Sequence, residues 1–316
     1  MSVKLICLSH TPLIEFASPP REIRDTTMKV IHDLAKQVDD YNPDLIITFG
    51  PDHFNGFFYD MMPAACVGIR AEAAGDWNYG PGTINTDEET ALSLTQSLLN
   101  DGLGIACSYQ MQADHGVTQP LTFLTGSLTR YPTVPIFINC AAKPLSPMRF
   151  ATQLGRAVGR YIKTSNLKSK RVLILGTGGL SHDPPTPQMQ NANSEIEAFL
   201  IAGKNPTADS RNTRQERVVL AAQELNQIES SSLKINAEWD RALMKKYQQA
   251  DFDYLNAMTD SEISEMGGRG GHEVRCWTAA FAALAEVSKY TTNDVYYQQI
   301  NEWLVGFGAI TAETVR

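Results

Sequence analysis

Four of the six histidines in the sequence follow stretches that are predicted to be β-strands. They are His10 after VKLICLS, His53 after DLIITFGPD, His115 after IACSYQMQAD and His182 after RVLILGTGGLS. In open α/β sheets, sites form in the crevice outside the carboxyl ends of the strands. Histidines that leave four such strands could therefore meet in one crevice, where they would bind a metal ion or transfer protons.

The segment 176–185, GTGGLSHDPP, contains residues typical of other kinds of active site, but their arrangement excludes those sites. It contains Ser181, His182 and Asp183, but three consecutive residues cannot form a Ser-His-Asp triad among themselves, and no G-x-S-x-G elbow is present. Its glycines also lack the spacing of a dinucleotide-binding or phosphate-binding loop. The functions that remain for His182 are metal binding and acid–base catalysis.

A carboxylate would complete a metal site of this kind. Two histidines and one carboxylate form the ligand set of non-haem Fe(II) oxygenases, and similar sets hold catalytic zinc. Asp52 and Asp114 each directly precede a histidine, and because neighbouring side chains of an extended segment point to opposite faces, both are predicted to play a supporting role. Glu273 opens a predicted helix after the glycine-rich run GGRGG, where the helix dipole favours an ionised carboxylate. Spacing alone leaves Glu273 open as a metal ligand or a helix cap.

Short apolar strands alternate with amphipathic helices over the first 180 residues. This alternation predicts an α/β fold with a mostly parallel sheet, followed by a helix-rich C-terminal part, in a single domain spanning residues 1–316. The Gly/Pro-punctuated segment 61–86 is predicted to be irregular and to fold over a site. Strands are predicted at 3–8, 44–49, 104–109, 134–139 and 171–175, and helices at 20–40, 87–100, 119–131, 148–164, 194–201, 213–227, 237–248 and 273–287.

Composition excludes several classes of partner. The formal net charge is −8 and no basic stripe is present, which argues against nucleic acid and anionic membranes. No apolar run approaches the roughly 20 residues needed to cross a bilayer. The five cysteines are scattered and form no CxxC pair, which indicates reduced thiols in a cytoplasmic protein.

Five segments of the sequence resemble, in order, motifs of the class III extradiol ring-cleaving dioxygenases. They are LSHTPL, PDHFNGFFYD, ADHG, GTGGLSHDPP and GHEVRCWTAAFAAL, and the resemblance extends from residue 4 to the FGAIT segment at 307–311. It implies a three-layer α/β/α domain with a mostly parallel or mixed sheet. It also implies Fe(II) bound by His10, His53 and Glu273, with His115 as proton donor and His182 as proton acceptor.

The resemblance further implies a small catechol and O₂ as reactants, and a homo-oligomeric enzyme. A propionate or cinnamate side chain on the catechol would favour an arginine partner, for which Arg70, Arg269 and Arg275 are the candidates. Two other interpretations of the same residues remain open. One is a zinc- or manganese-dependent hydrolase, and the other is a non-enzymatic scaffold of this fold.

Two positions depart from the pattern expected in close relatives. Gly271 stands where a hydroxyl residue is expected before the His-Glu pair, so Glu273 is expected to be held less tightly by its own loop. Asp183 adds a carboxylate beside His182, and it would raise the pKa of that histidine if the two side chains lie close together.

Overall fold

A computed structural model describes residues 2–79, 82–225, 230 and 232–315. The described residues form ten strands: β1 Ser2–Leu8, β2 Leu45–Gly50, β3 Ala65–Gly68, β4 Ala71–Ala73, β5 Ala106–Ser108, β6 Met111–Ala113, β7 Thr133–Ile138, β8 Arg171–Thr177, β9 Tyr290–Ile300 and β10 Val305–Thr314. The α-helices of the same residues are α1 Arg21–Tyr41, α2 Glu88–Asn100, α3 His115–Thr125, α4 Met148–Thr164, α5 Ser194–Ala202, α6 Ala208–Glu224, α7 Ala237–Gln248, α8 Phe252–Ala257, α9 Asp260–Gly267 and α10 Val274–Val287.

Eight of these strands form one mixed sheet in the order β5-β3-β7-β2-β8-β1-β10-β9. The four central strands β7, β2, β8 and β1 are parallel to one another, whereas β3 is antiparallel to β7 and β10 is antiparallel to both of its neighbours. Strand β2 is buried along its whole length, as expected for a central parallel strand covered on both faces. The predicted α/β class with a mostly parallel or mixed sheet is confirmed.

Helices cover both faces of the sheet. Along β1, Leu5 and Cys7 join a core with α2, α4 and α10, whereas Ile6 and Leu8 join a second core with α1 and α3. Because alternate residues of a strand point to opposite faces of the sheet, the short apolar strand β1 contributes side chains to both hydrophobic cores. The three-layer α/β/α arrangement follows from this division. Among the described residues, no helix is both long and apolar enough to cross a membrane.

Some predicted boundaries were wrong. The helix predicted at 119–131 begins at His115, where the Asp114 side chain caps it by accepting from the Gly116 amide, and ends at Thr125. Segment 61–86, predicted to be irregular, contains β3 and β4. The helix predicted at 213–227 begins earlier, at Ala208, and residues 226–227 lie outside the described part of the chain.

The C-terminal part contains a pair of antiparallel strands, β9 and β10, that the sequence analysis missed. Strand β9 forms an edge and is largely polar, so it lacks the apolar alternation of a half-buried strand. Strand β10 is buried but begins with the Gly- and Ala-rich run VGFGA, whose composition disfavours a strand. Pairing with β1 and β9 overrides that local preference.

Helices α4 and α10 pack closely enough that two glycines of α4 have no room for a side chain. A Cβ atom at Gly155 would lie 2.1 Å from the Ala279 carbonyl oxygen, and one at Gly159 would lie 2.4 Å from the Ala283 carbonyl oxygen. This contact fixes α10 against the sheet. It thereby also fixes Glu273, the residue immediately before α10.

Candidate metal centre

The structure brings all five predicted site residues to one edge of the sheet. His10, His53 and His182 follow the adjacent parallel strands β1, β2 and β8, whose carboxyl ends meet there. His115 is the first residue of α3, and Glu273 ends a short 3₁₀ helix, Gly270–Glu273, that leads into α10. The expectation that distant segments would supply one crevice is therefore met geometrically.

Glu273 lies at the middle of the group. Its Oε1 is 3.0 Å from His53 Nε2 and 3.3 Å from His182 Nε2, and its Oε2 is 3.6 Å from His10 Nε2. The Gly179 amide also donates to Oε2 at 2.8 Å. Burial by itself would raise the pKa of Glu273, but the surrounding histidines outweigh it and hold the pKa well below its usual range.

The imidazole rings also contact one another. The His53 and His115 rings are stacked with centroids 4.4 Å apart, and the His10 ring meets each of them edge-on at 5.4 Å. Burial lowers the pKa of His10 to about 3, so this ring is neutral and has a free lone pair at neutral pH. A cluster of this kind offers several nitrogen donors to one point.

Two buried aspartates fix the orientation of two of these rings. Asp114 Oδ2 lies 2.9 Å from His53 Nδ1, and Asp76 Oδ2 lies 2.6 Å from His115 Nδ1. Each carboxylate also accepts the backbone amide of its histidine. Asn55 joins the two by donating from Nδ2 to Asp114 at 3.1 Å and to Asp76 at 3.3 Å. These contacts place the Nδ1 proton of each ring on its aspartate and direct Nε2 into the site.

The neighbouring Asp52 has a different task. Its carboxylate accepts the amides of residues 55, 56 and 57 and so folds the loop after β2. Burial raises the pKa of Asp52 to about 8, with a further contribution from the charge of Asp114. The supporting roles predicted for Asp52 and Asp114 agree with these contacts.

His182 is held by its own loop and by the glycine-rich segment before Glu273. Its Nδ1 faces the Leu180 carbonyl at 3.1 Å, and its backbone carbonyl accepts the Gly270 amide at 3.0 Å. A Cβ atom at Gly270 would lie 2.0 Å from His182 Nε2, whereas one at Gly271 would meet nothing closer than 3.5 Å. Burial disfavours the charged ring, but Glu273 outweighs it, and the pKa of His182 is raised overall.

The condition attached to Asp183, that its side chain lie close to the His182 ring, is not met. Its carboxylate accepts from Arg269 Nε at 2.6 Å and from the Leu233 amide at 2.9 Å, and Arg269 holds its pKa below the usual range against the effect of burial. The charge that raises the pKa of His182 comes from Glu273, because Asp183 is turned toward Arg269. Ser181 is a local hydrogen-bonding group: its Oγ donates to the buried Asp240 at 2.7 Å.

The histidines open onto a cavity of about 370 Å³. Its apolar walls include Phe54, Trp77, Ile196, Phe199, Val218 and Leu304. Three prolines of the segment 184–187 form part of its rim. A cavity with apolar walls and a few polar groups at one end is the form that small-molecule sites usually take.

The donor set fits a divalent metal ion. Since His53 Nδ1 donates to Asp114, a proton or a metal cation must lie between His53 Nε2 and the Glu273 carboxylate, which are 3.0 Å apart. His10 Nδ1 is buried without a hydrogen-bond partner in the described part of the chain. Ligand atoms of His10, His53 and His115 lie within 4.8 Å of one another, as do those of Asp76, Asp114 and His115. In the second group the carboxylates already hold the rings of His53 and His115.

Sequence reasoning missed three residues of the site. Asp76 and Asn55 hold the histidines, and Arg214 of α6 lines the cavity. The only sequence signal for Asp76 was its place in the Gly/Pro-punctuated segment. For Arg214 the signal was the run of arginines at 211, 214 and 217, whose spacing places them on one side of a helix.

None of the arginines that we expected to bind a substrate carboxylate lines the cavity. Arg70 is exposed and pairs with Glu88 at 2.8 Å. Arg269 pairs with Asp183, and Arg275 is buried against Asp260 and the His272 carbonyl. All three arginines are unsuited to binding a substrate for the same reason. A carboxylate or carbonyl of the protein already accepts hydrogen bonds from each guanidinium group.

Comparison with known proteins identifies this constellation. The family described as the catalytic LigB subunit of aromatic ring-opening dioxygenase matches residues 4–308. The chain belongs to this family. It is therefore an oxidoreductase that opens an aromatic ring with O₂, and the family is metal-dependent. The hydrolase and scaffold readings are set aside.

Individual relatives are similar over their whole length. A protein of Photorhabdus laumondii named 2,3-dihydroxyphenylpropionate/2,3-dihydroxicinnamic acid 1,2-dioxygenase is 50% identical over 315 residues, which cover 100% of this chain and 98% of the relative. A protein of Azotobacter vinelandii with the same name is 44% identical over 313 residues, covering 99% of each. An uncharacterized Escherichia coli K12 protein of known crystal structure, JW3007, shares the fold with a TM-score of 0.53 at 11% identity and 98% coverage of both chains.

Proposed function

We propose that this chain cleaves a catechol bearing a three-carbon acid side chain, 2,3-dihydroxyphenylpropionate or 2,3-dihydroxycinnamate, beside its two hydroxyl groups. The names of the relatives support this substrate, and the family supports the reaction. The observation that carries the proposal is the buried Glu273 carboxylate within 3.6 Å of imidazole nitrogens from three separate segments.

We assign the metal to His10, His53 and Glu273, and we propose Fe(II). Two imidazoles and one carboxylate suit this ion and leave positions open for other ligands. When bound, ferrous ion would supply the redox chemistry that makes O₂ reactive toward the aromatic ring. The surrounding apolar walls would orient the ring and exclude water.

The remaining two histidines would move protons. Because His182 Nδ1 faces the Leu180 carbonyl and must donate to it, the proton-accepting nitrogen is Nε2, which points into the site. We propose that Nε2 takes a proton from a catechol hydroxyl. His115 Nδ1 is likewise committed to Asp76, so His115 would supply a proton to the product from Nε2.

Anaerobic reconstitution tests this proposal. Protein loaded with Fe(II) is expected to convert 2,3-dihydroxyphenylpropionate in air to a yellow ring-opened product, followed by absorbance. Protein loaded with zinc should not do so, and protocatechuate and plain catechol serve as comparison substrates. Activity that zinc restores as well as iron would overturn the choice of metal.

Two variants separate the assigned roles. His10→Ala is expected to lose both iron and turnover, whereas His182→Ala should keep iron and lose on the order of 100-fold or more in cleavage. Normal iron content in His10→Ala would remove that residue from the ligand set. Full turnover in His182→Ala would remove the proposed proton acceptor.

The setting of the enzyme is also part of the proposal. We propose one catalytic domain over residues 1–316, which the family match over 4–308 supports. The described cysteines are all free thiols, which supports a reducing compartment such as the cytoplasm. We also propose a homo-oligomer, for which light scattering of the purified protein is the direct test.

A further inference from the structure

Helix α6 supplies the positive charge of the active-site cavity. Arg214 and Arg217 both line the cavity that His115 and His182 face, and Arg214 is the half-buried one of the pair. Throughout the described ranges, no carboxylate lies within ion-pairing distance of the Arg214 guanidinium. The cavity thus contains a partly buried cation that the protein does not neutralise by direct contact.

The contacts of Arg214 use only part of the hydrogen-bonding capacity of its guanidinium. Nη1 donates to the Phe54 carbonyl at 3.1 Å, Nη2 donates to Asn55 Oδ1 at 3.0 Å, and the group lies 4.5 Å over the Phe199 ring. Its Nε is buried and has no hydrogen-bond partner among the described residues. Nη1 and Nη2 each also carry a second N–H that no described residue accepts, so an acceptor from outside the chain is the natural partner for these donors.

A carboxylate matches these unused donors. Guanidinium groups bind carboxylates through two parallel hydrogen bonds, and the two Nη groups together form one such edge. The cavity that Arg214 lines has the apolar residues Ile196, Phe199 and Val218 in its walls, together with polar residues that include Glu195 and Thr213. An occupant with an aromatic or aliphatic body and one terminal carboxylate would satisfy both features.

We propose that Arg214 binds the carboxylate of the substrate side chain and so selects acid-bearing catechols over neutral ones. This inference rests on the proposed function. Asn55 supports it, because the residue that accepts from Arg214 also donates to Asp114 and Asp76, the carboxylates that orient His53 and His115. One residue therefore sets the positions of both the tail-binding group and the histidines that face the ring.

The test compares 2,3-dihydroxyphenylpropionate with its neutral primary amide, which has the same shape and no charge. Arg214→Gln is expected to lower the acid-to-amide ratio of kcat/KM on the order of 30-fold, because one charge-assisted pair is lost for the acid alone. Arg214→Lys keeps the positive charge but loses the paired N–H donors of the guanidinium. We expect it to lower the acid-to-amide ratio of kcat/KM roughly fivefold. The lysine variant decides the question if the glutamine variant does not fold.

Arg156→Gln is the matched control. Arg156 of α4 also lies over an aromatic ring, that of Phe252 at 5.7 Å, but it does not line the cavity. Its removal should leave the acid-to-amide ratio unchanged. If Arg214→Gln leaves the acid-to-amide ratio of kcat/KM unchanged, the inference is overturned, even if both substrates are cleaved more slowly. Wild-type protein that cleaves no catechol would instead contradict the proposed function.

Discussion

At the scale of single residues, the site depends on which nitrogen of each histidine is already engaged. Asp114 and Asp76 each bind Nδ1 and the backbone amide of one histidine, so neither ring can turn over. The nitrogen directed into the site in both cases is Nε2. In the proposed roles, Nε2 would bind the metal in His53 and would donate a proton in His115, although an aspartate directly precedes each histidine in the sequence.

The first prediction concerns Asp114. Asp114→Asn can still accept at one oxygen, but its amide nitrogen would face a donor of His53 or Asn55. We expect metal affinity to fall roughly 10- to 100-fold with the fold intact. Titration of the apoprotein with Fe(II) under argon measures the affinity. Asp52→Asn is the comparison, since Asp52 binds only loop amides; equal affinity losses in both variants would show that loop folding is the cause.

The residue types of the site could be predicted from the sequence, but their supporting partners could not. His10, His53, His115 and His182 each stand next to the end of a predicted strand or a turn, and that pattern indicates a shared crevice. Asp76 carries no such signal, because its role arises only when the segment after β4 folds beside α3. Arg214 is similar, since most arginines in a polar helix face solvent.

At the scale of elements, α10 positions Glu273 and α4 positions α10. The tight contact requires glycine at 155 and 159 and small residues such as Ala279 and Ala283 opposite them. Sequence periodicity predicted both helices well, and α4 to the residue. It could not predict that they touch, because GxxxG within a polar helix is also compatible with an exposed face.

The second prediction tests that contact. Gly155→Val would force a side chain against the Ala279 carbonyl, and we expect a loss of about 2–4 kcal/mol in the free energy of unfolding. Gly104→Val is the control, because nothing lies within 4 Å of a Cβ atom there. Urea unfolding monitored by circular dichroism gives both values. Similar stabilities for the two variants would mean that α4 and α10 can separate without cost.

At the scale of the whole molecule, the proposed metal would join segments that are far apart along the chain. Residue 273 meets residues 10 and 53 only after β1, β2, β8 and α10 have assembled. A ligand that binds the folded chain and not the unfolded one stabilises it by mass action. The missed strands β9 and β10 matter at this scale, because β10 pairs along β1, the strand that precedes His10.

The third prediction follows from that linkage. Fe(II) at about 100 times its Kd should stabilise the protein by about 2.7 kcal/mol and raise Tm by several degrees under anaerobic conditions. Glu273→Gln should remove most of this rise, and His115→Ala should keep it. Differential scanning calorimetry measures the rise in Tm for each variant. A rise that Glu273→Gln keeps and His115→Ala loses would assign the metal to His10, His53 and His115.

The glycine-rich approach to Glu273 has a consequence for mutational tolerance. Its two adjacent glycines look interchangeable, yet position 270 abuts the His182 ring while position 271 has ordinary van der Waals clearance. A library randomised across this segment should recover serine or alanine at 271 among active clones and only glycine at 270. Among the glycines of this segment, position 271 is the one with room for a side chain, and it lies two residues before Glu273.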